Sequence, residues 1–165
     1  MFVLGIDPGL STLGYGLIES RGHKAQAVLA GVIRTDSKLP VGSRLAELHR
    51  DLSGLLEEHQ PDEAAIEQVF VNRNLQTATS VGRASGVVLL ALAQHQVPVC
   101  EYTPSAVKRA LTGYGNADKS QMKKLVAMRL GLGKAPSPAD AADALAIALC
   151  HLQTAPARRL AEGIL

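Results

Sequence analysis

The sequence predicts an α/β domain with a mixed five-stranded sheet and helices on both faces. Short apolar segments bounded by Gly, Pro or charged residues are typical of buried strands, and they are joined by longer segments with helical spacing of Leu and Ala. The first three strand-like segments follow one another directly, whereas helical segments surround the last two. At 165 residues, with 47% hydrophobic and 19% charged residues, the chain fits one globular domain with a full core.

The first two strands are expected to form a hairpin that carries an acid at its turn. An apolar segment from Phe2 to Ile6 ends at Asp7, and Pro8 and Gly9 then favour a turn before a second apolar run. Residues 27–35 follow as a third strand. Asp7 could cap the turn, bind a metal ion, or stand beside a turn that cradles a nucleotide phosphate, as in actin-like ATPases. These residues alone leave the three interpretations open.

The middle of the chain predicts a helix, a strand and a longer helix. Leucines at helical spacing run from Ser43 to Gln60, where Pro61 ends the helix. Residues 64–66 form a short strand that ends at Glu67, and so repeat the pattern of Asp7. The helix over residues 75–96 carries small residues that suit either packing across the sheet or a two-fold dimer interface, namely Gly82, Ala84, Ser85 and Gly86.

The last third predicts one strand and three helices. Residues 98–102 form the strand, and Thr103 and Pro104 start a helix. A break at 113–116 precedes a helix capped by Asp118 or Asn116, and the final helix runs from Ala139 to about Gln153. We therefore expect a domain over residues 1–154 and a short C-terminal tail over 155–165.

Composition and charge narrow the function. Seven basic residues against a single acid, Asp118, give a net charge of +6 between residues 104 and 134, which is a footprint for polyanions or a solvated helix face. Cys100 and Cys150 suit two buried thiols in a reducing compartment. No basic leader and no apolar run of membrane-spanning length are found, so we expect a cytoplasmic protein without a membrane partner.

Four acids could form a metal site. Asp140 and Asp143 are three residues apart, so both lie on one face of an otherwise apolar helix. If this helix packs against the strand of Asp7, both acids approach Asp7 and Glu67. Two carboxylates about 4 Å apart repel by about 4 kcal/mol at an effective dielectric of 20. Two Mg²⁺ or Mn²⁺ ions would relieve this repulsion and serve phosphodiester hydrolysis, one activating water and the other stabilising the leaving oxygen.

Four motifs together resemble the RuvC family of Holliday junction resolvases. They are IDPGxxxxGYG over residues 6–16, IEQVF over 66–70, GYGNADKSQ over 113–121 and DAADALAIA over 140–148. The resemblance covers nearly the whole chain in the same order and spacing. It implies an RNase H-like fold, a homodimer, Mg²⁺-dependent paired nicking of four-way junction DNA in recombination and repair, and cooperation with the RuvA–RuvB branch-migration complex.

The resemblance also implies roles for individual residues. Asp7, Glu67, Asp140 and Asp143 match the metal-binding catalytic acids, although some family members have His in place of Asp140. Phe70 matches an aromatic residue that stacks in the opened junction. Lys108 and Lys119 match basic residues near the scissile phosphate, and Lys119 is expected to take part in catalysis. The other residues expected to contact DNA are Asn72, Arg73, Lys123 and Lys124. The glycines of the hairpin, Gly9, Gly14 and Gly16, are expected to keep it slim beside the DNA backbone.

Two other classes compete with a nuclease. An actin-like or sugar-kinase ATPase shares the Asp-x-Gly hairpin but closes a nucleotide between two such domains, and this chain has room for one. A non-catalytic DNA-binding module on the same fold is the second alternative. Four clustered acids would hinder phosphate binding unless they held metal ions, which argues against such a module.

Overall fold

The computed structural model describes residues 1–22, 24–68 and 75–161, with only the backbone described at 75 and over 157–161. It has five strands: β1 (Phe2–Asp7), β2 (Thr12–Arg21), β3 (Lys24–Arg34), β4 (Glu63–Glu67) and β5 (Val99–Tyr102). The helices are α1 (Val41–His59), α2 (Leu75–Gln94), α3 (Pro104–Thr112), α4 (Lys119–Arg129) and α5 (Ala139–Ala161). The element order predicted from the sequence is confirmed.

One mixed sheet organises the molecule in the order β3-β2-β1-β4-β5. β1, β2 and β3 form the antiparallel meander, while β4 pairs in parallel with both β1 and β5. Ile6 is in register with Ile66, so the carboxyl ends of β1 and β4 lie side by side. Ligands bind at such an edge in parallel sheets because the strand ends leave room there.

The two faces of the sheet bury separate clusters of apolar side chains. Val3 and Ala65 pack with α3, α4 and α5, whereas Leu4, Ile6 and Ile66 pack with α1 and α2. Because successive side chains of a strand point to opposite faces, Asp7 shares the face of Val3, and Glu67 shares the face of Ala65. Both acids therefore lie on the side of the sheet that α5 covers.

Glycines allow α5 to lie directly against the sheet. A Cβ atom on Gly5 would overlap the carbonyl oxygen of Ala144, and one on Gly14 would overlap that of Asp140. A Cβ on Gly16 would lie 2.7 Å from the side chain of Leu145. The expectation that Gly14 and Gly16 face DNA is therefore wrong, because they face α5. Gly9 instead avoids an overlap inside the turn with the carbonyl oxygen of Thr12.

The final helix differs from its predicted extent. α5 continues beyond Gln153 to Ala161, with Pro156 inside it, and thus crosses the predicted boundary between the domain and the tail. The sequence suggested an earlier end because the Ala and Leu pattern fades there. However, Ala155 is still buried and continues the packed face of the helix.

The small-residue patch predicted on α2 is divided between two faces. Ala84 and Ser85 are buried, while Gly82 and Gly86 are exposed. One face thus packs into the core, as α1 and α2 contact each other, and the other faces outward.

Across the described residues, no helix is long and apolar enough to cross a membrane. Cys150 is buried and Cys100 half-buried, and both are free thiols.

Candidate active site

Asp7 and Glu67 meet at the carboxyl ends of the two central strands. Asp7 is the last residue of β1 and Glu67 the last of β4, and these strands are hydrogen-bonded neighbours in parallel register. The two carboxyl groups influence each other, since the charge of Glu67 raises the pKa of Asp7. Two acids that are distant in sequence are therefore brought together by the sheet itself, as the repeated strand-end pattern suggested.

The third and fourth acids come from the first turns of α5. Asp143 lines the same cavity as Asp7 and Glu67, whereas Asp140 does not line it. Asp140 lies at the rim, where its backbone carbonyl faces Gly14, and its charge still acts on Asp7. The acids expected to converge are therefore in electrostatic contact, although Asp140 is peripheral to the other three.

The cavity has a volume of about 370 Å³ and combines acidic, basic and apolar walls. The acids line the cavity together with residues from the beginnings of α3 and α4. Its lining residues are Asp7, Glu67, Pro104, Val107, Lys108, Lys119, Met122, Asp143, Ala146 and Ile147. Both lysines implied by the resemblance thus face the acids. The sequence does not predict that the apolar lining residues face a cavity, because nothing in their local sequence distinguishes a cavity wall from the core.

The environment of the site disfavours the simultaneous ionisation of all four acids. The pKa of Asp7 is raised from 3.8 to about 7, mostly by burial and then by the charges of Glu67, Asp143 and Asp140. Burial and then the charge of Asp143 also raise the pKa of Glu67 above its usual range. A group of carboxylates that resists ionisation in this way would be stabilised by cations.

The positive charges of two lysines partly offset this repulsion. The Nζ atom of Lys119 lies 3.6 Å from Oδ2 of Asp143, and the lysine side chain is 80% exposed. Its charge lowers the pKa of both Asp7 and Glu67, and Lys108 lowers that of Glu67. A capping box between Asp118 and Gln121 fixes the start of α4 and so holds Lys119 at the cavity.

The remaining predicted residues lie apart from the cavity or outside the described chain. Lys123 is half-buried and Lys124 exposed on α4, and neither lines the cavity. Phe70, Asn72 and Arg73 lie outside the described residues. Within the described ranges, no three His, Cys, Asp or Glu side chains are already gathered closely enough to hold a metal ion.

A buried polar network behind the site was missed from the sequence. His151 of α5 is 1% exposed, and its Nε2 lies 2.5 Å from Oε2 of Glu63 on β4. Its Nδ1 lies 2.9 Å from the hydroxyl of Tyr102 on β5, which also accepts a hydrogen bond from Thr154. The network links α5 to β4 and β5. Only the polar His within the apolar run of α5 signalled it in the sequence.

Replacing His151 with Ala is expected to destabilise the protein by roughly 2–4 kcal/mol. The substitution leaves the buried Tyr102 hydroxyl and the Glu63 carboxylate without this partner and opens a cavity. Urea unfolding followed by circular dichroism measures the change. His49→Ala is the matched control, since His49 bonds Gln94 at an exposed position and should cost under about 1 kcal/mol. Equal losses in both variants would contradict a special role for the network.

A mixed sheet that delivers two acids at adjacent strand ends, with a third from the covering helix, defines an RNase H-like nuclease. Comparisons with known proteins make this assignment specific. The family model described as crossover junction endodeoxyribonuclease RuvC matches residues 3–151. The chain therefore belongs to the RuvC family of crossover junction endodeoxyribonucleases. It is an enzyme that hydrolyses DNA, in a family of metal-dependent nucleases.

Individual relatives agree over nearly their full lengths. The crossover junction endodeoxyribonuclease RuvC of Chloroflexus aggregans is 51% identical over 156 residues, which are 94% of this chain and 95% of that protein. The relative from Thermomicrobium roseum is 49% identical over 97% of this chain and 98% of its own. A solved structure, T. thermophilus RuvC in complex with Holliday junction substrate, is 39% identical with a TM-score of 0.91 and covers 96% of both chains. The resemblance seen in the motifs is confirmed, and neither an ATPase nor a non-catalytic module fits it.

Proposed function

We propose that this chain resolves four-way DNA junctions by paired symmetric nicks in recombination and repair. The observation that carries the proposal is the cavity in which Asp7, Glu67 and Asp143 face Lys108 and Lys119. Acids suit metal-assisted phosphodiester hydrolysis, and the lysines suit a polyanionic substrate. A relative of similar length and fold was solved with Holliday junction substrate, which supports the same substrate for this chain.

The acids fit hard divalent cations. Asp7, Glu67, Asp140 and Asp143 offer only oxygen ligands, which suit Mg²⁺ or Mn²⁺ better than Zn²⁺. Burial, followed by the charges of Glu67, Asp143 and Asp140, raises the pKa of Asp7, and bound cations would favour its ionised form. We propose two Mg²⁺ ions per site, which would supply an activated water and neutralise the developing charge. Among the residues that the structure describes, no three acids are gathered around one point, so we infer that some of their side chains rotate when ions bind.

Lys119 and Lys108 are proposed to hold the scissile phosphate. The Lys119 ammonium is exposed and reaches Asp143 across the cavity, so it can exchange this weak ion pair for a phosphate oxygen. There it would stabilise negative charge that develops during hydrolysis. Lys108 lines the same cavity from α3 and would position the neighbouring backbone. These roles give Lys119 the larger effect on catalysis and Lys108 the larger effect on binding.

The remaining basic and aromatic residues are proposed as DNA contacts away from the cleavage point. Lys123 and Lys124 extend the positive surface along α4 beyond Lys119. Phe70, Asn72 and Arg73 follow Glu67 directly in the sequence, which suits stacking on an opened base and contacts to the adjacent backbone. Their role rests on the family motif and their position in the sequence.

The decisive experiment uses a labelled synthetic four-way junction and a linear duplex of the same arms. Incubation with the purified protein in Mg²⁺ should produce paired nicks only in the junction, and EDTA should abolish them. A parallel reaction in Mn²⁺ tests the choice of metal. Cutting of the linear duplex at the same rate, or cleavage that persists in EDTA, would contradict the proposal.

Paired nicks require two active sites, and we propose that a homodimer provides them through the outward face of α2. Gly82, Gly86 and Leu90 recur every four residues, so they form one stripe along the helix. Leu90 is 52% exposed, and a Cβ on either glycine would meet nothing within 4 Å. A flat apolar stripe of this kind suits close helix pairing about a two-fold axis. By the family resemblance, the dimer would act with RuvA–RuvB in the cytoplasm.

Replacing Gly86 with Glu is expected to convert this dimer to monomers. The new carboxylate meets no atom of its own chain within 4 Å, so folding should be retained, but two copies would face each other across the two-fold axis. Light scattering coupled to size exclusion measures the mass. Gly54→Glu is the matched control, because Gly54 is an exposed helical glycine with equal free space. A Gly86→Glu protein that remained dimeric would place the interface elsewhere.

A further inference from the structure

A second polar cavity lies on the other side of the β1–β2 turn from the acids. Its volume is about 310 Å³, and three elements form its walls: the turn after β1, the first turn of α1 and the first turns of α2. The lining residues are Leu10, Ser11, Arg44, Gln76, Thr77, Ser80 and Val81. None of its described lining residues is an acid, which distinguishes this cavity from the active site.

Arg44 gives the cavity a buried positive charge. The residue is only 9% exposed, and its Nε donates to the Thr35 hydroxyl at 2.9 Å. Its Nη2 donates to the Ser11 hydroxyl at 2.7 Å. The Thr35 hydroxyl in turn donates to the carbonyl of Leu10 at 2.6 Å, so its lone pairs are directed to the guanidinium. Arg44 is therefore held rigidly by neutral groups.

The charge of Arg44 is not neutralised within the described part of the chain. No carboxylate there lies within ion-pair distance of its guanidinium. Burying a charge without a counterion is unfavourable, so an external anion is the natural complement. A guanidinium has five N–H donors, and the two bonds above leave others for a ligand. Ser80 also lines the cavity, and its hydroxyl is a further potential donor.

The turn between β1 and β2 follows Asp7 and also lines the cavity, and this proximity to the active site indicates which anion the cavity binds. Asp7 and Ser11 are four residues apart, so their Cα atoms lie within about 14 Å. At about 3.4 Å per base pair along each strand, this distance spans no more than about four nucleotides. A DNA strand with its scissile phosphate at the acids can therefore reach the Arg44 cavity. Arg suits this purpose because its fork matches the oxygens of a phosphodiester.

We propose that the Arg44 cavity binds a backbone phosphate of the junction strand, a few nucleotides from the scissile phosphate. The inference rests on the proposed function, since it takes the junction as the substrate. The site is rigid and lies on the turn that carries Asp7. It therefore fixes the register of the strand relative to the acids, as well as adding affinity.

Two substitutions in a cleavage-inactive Asp7→Asn parent test the proposal. Arg44→Gln removes the charge, and Ser80→Asp places a carboxylate opposite it. Each should weaken junction binding about tenfold, and Arg44→Gln should reduce the slope of log K against log salt by about 0.9. Ser43→Asp is the control, because Ser43 is exposed beside Arg44 but does not line the cavity. Unchanged affinity in both cavity variants, with a parent that binds normally, would overturn the inference alone.

Thermal unfolding separates a binding role from a structural one. Ser80→Asp supplies the missing counterion, so it should raise the melting temperature while it weakens DNA binding; loss of both would assign Arg44 to folding. Inorganic phosphate titrated in EDTA tests a free anion. Stabilisation of the parent by phosphate, together with unchanged junction binding by the variants, would assign the cavity to a free anion and overturn the DNA proposal. Failure of the wild-type protein to cut junctions would instead refute the proposed function.

Discussion

The Asp7→Asn protein is expected to lose junction cleavage by more than about 10³-fold and to keep its affinity for the junction. Asp7 lies at the base of the cavity and interacts with all three other acids, so it is the central proposed metal ligand. Loss of several kcal/mol of charge stabilisation in the transition state corresponds to this factor. Binding should persist or tighten, because one negative charge is removed from a site that faces phosphates.

Single-turnover cleavage of the labelled junction in Mg²⁺ measures the first effect, and a gel shift in EDTA measures the second. Asp51→Asn is the control, since Asp51 is exposed on α1 and pairs with its neighbour Arg50. It should cleave at the wild-type rate. Cleavage by Asp7→Asn within tenfold of wild type would end the assignment of Asp7 as a metal ligand.

The same substitution should stabilise the metal-free protein at alkaline pH. The pKa of Asp7 is about 7 in the folded protein, against 3.8 for an ordinary Asp side chain. The folded state therefore favours the protonated acid, and the stability this group contributes below pH 3.8 is lost as the pH rises through 7. Each unit of pKa difference corresponds to about 1.4 kcal/mol, so Asn should gain roughly 2–4 kcal/mol over ionised Asp at pH 8.5.

Urea unfolding at pH 5 and pH 8.5 in EDTA tests the sign. The advantage of Asp7→Asn should be small at pH 5 and large at pH 8.5. Added Mg²⁺ should then stabilise wild type more than the variant, because cations favour the ionised acids. An advantage of Asn that is larger at pH 5 than at pH 8.5 would contradict the raised pKa.

The strands and the central acids could be predicted because their signals are local. Apolar runs that end in a carboxylate placed Asp7 and Glu67 at strand ends, and the parallel register of β1 and β4 then brings them together. The helical spacing of Asp140 and Asp143 likewise fixed their common face. Family motifs added Lys119 as a basic residue near the scissile phosphate, and the structure places its Nζ atom 3.6 Å from Oδ2 of Asp143.

Features that depend on distant contacts could not be predicted. Glu63 and His151 are 88 residues apart and meet only when α5 packs on the sheet. Nothing in the sequence around Arg44 marks it, and its charge becomes significant only because the fold buries it against Thr35 and Ser11. From the sequence, the hairpin glycines were expected to lie beside DNA, because the absence of a side chain does not show which neighbouring group approaches closely.

Replacing Gly5 with Ala is expected to destabilise the protein by about 3 kcal/mol and to reduce cleavage at least 100-fold. The added Cβ would overlap the carbonyl oxygen of Ala144 and lie 2.7 Å from the amide nitrogen of Ala148. Both are backbone atoms of α5, which cannot move aside by rotating a side chain, so the whole helix must shift. Asp140 and Asp143 move with it, and a displacement of about 1 Å at a catalytic group can cost about 100-fold.

Urea unfolding and single-turnover cleavage at saturating protein measure the two losses separately. Gly54→Ala is the control, because this exposed glycine of α1 has free space around its Cβ position and should instead gain about 0.5–1 kcal/mol. Gly14→Ala, which would press on the carbonyl of Asp140, should reproduce the Gly5 result from the next strand. If Gly5→Ala and Gly14→Ala both retained wild-type stability and cleavage, close contact between α5 and the sheet would not be what positions the acids.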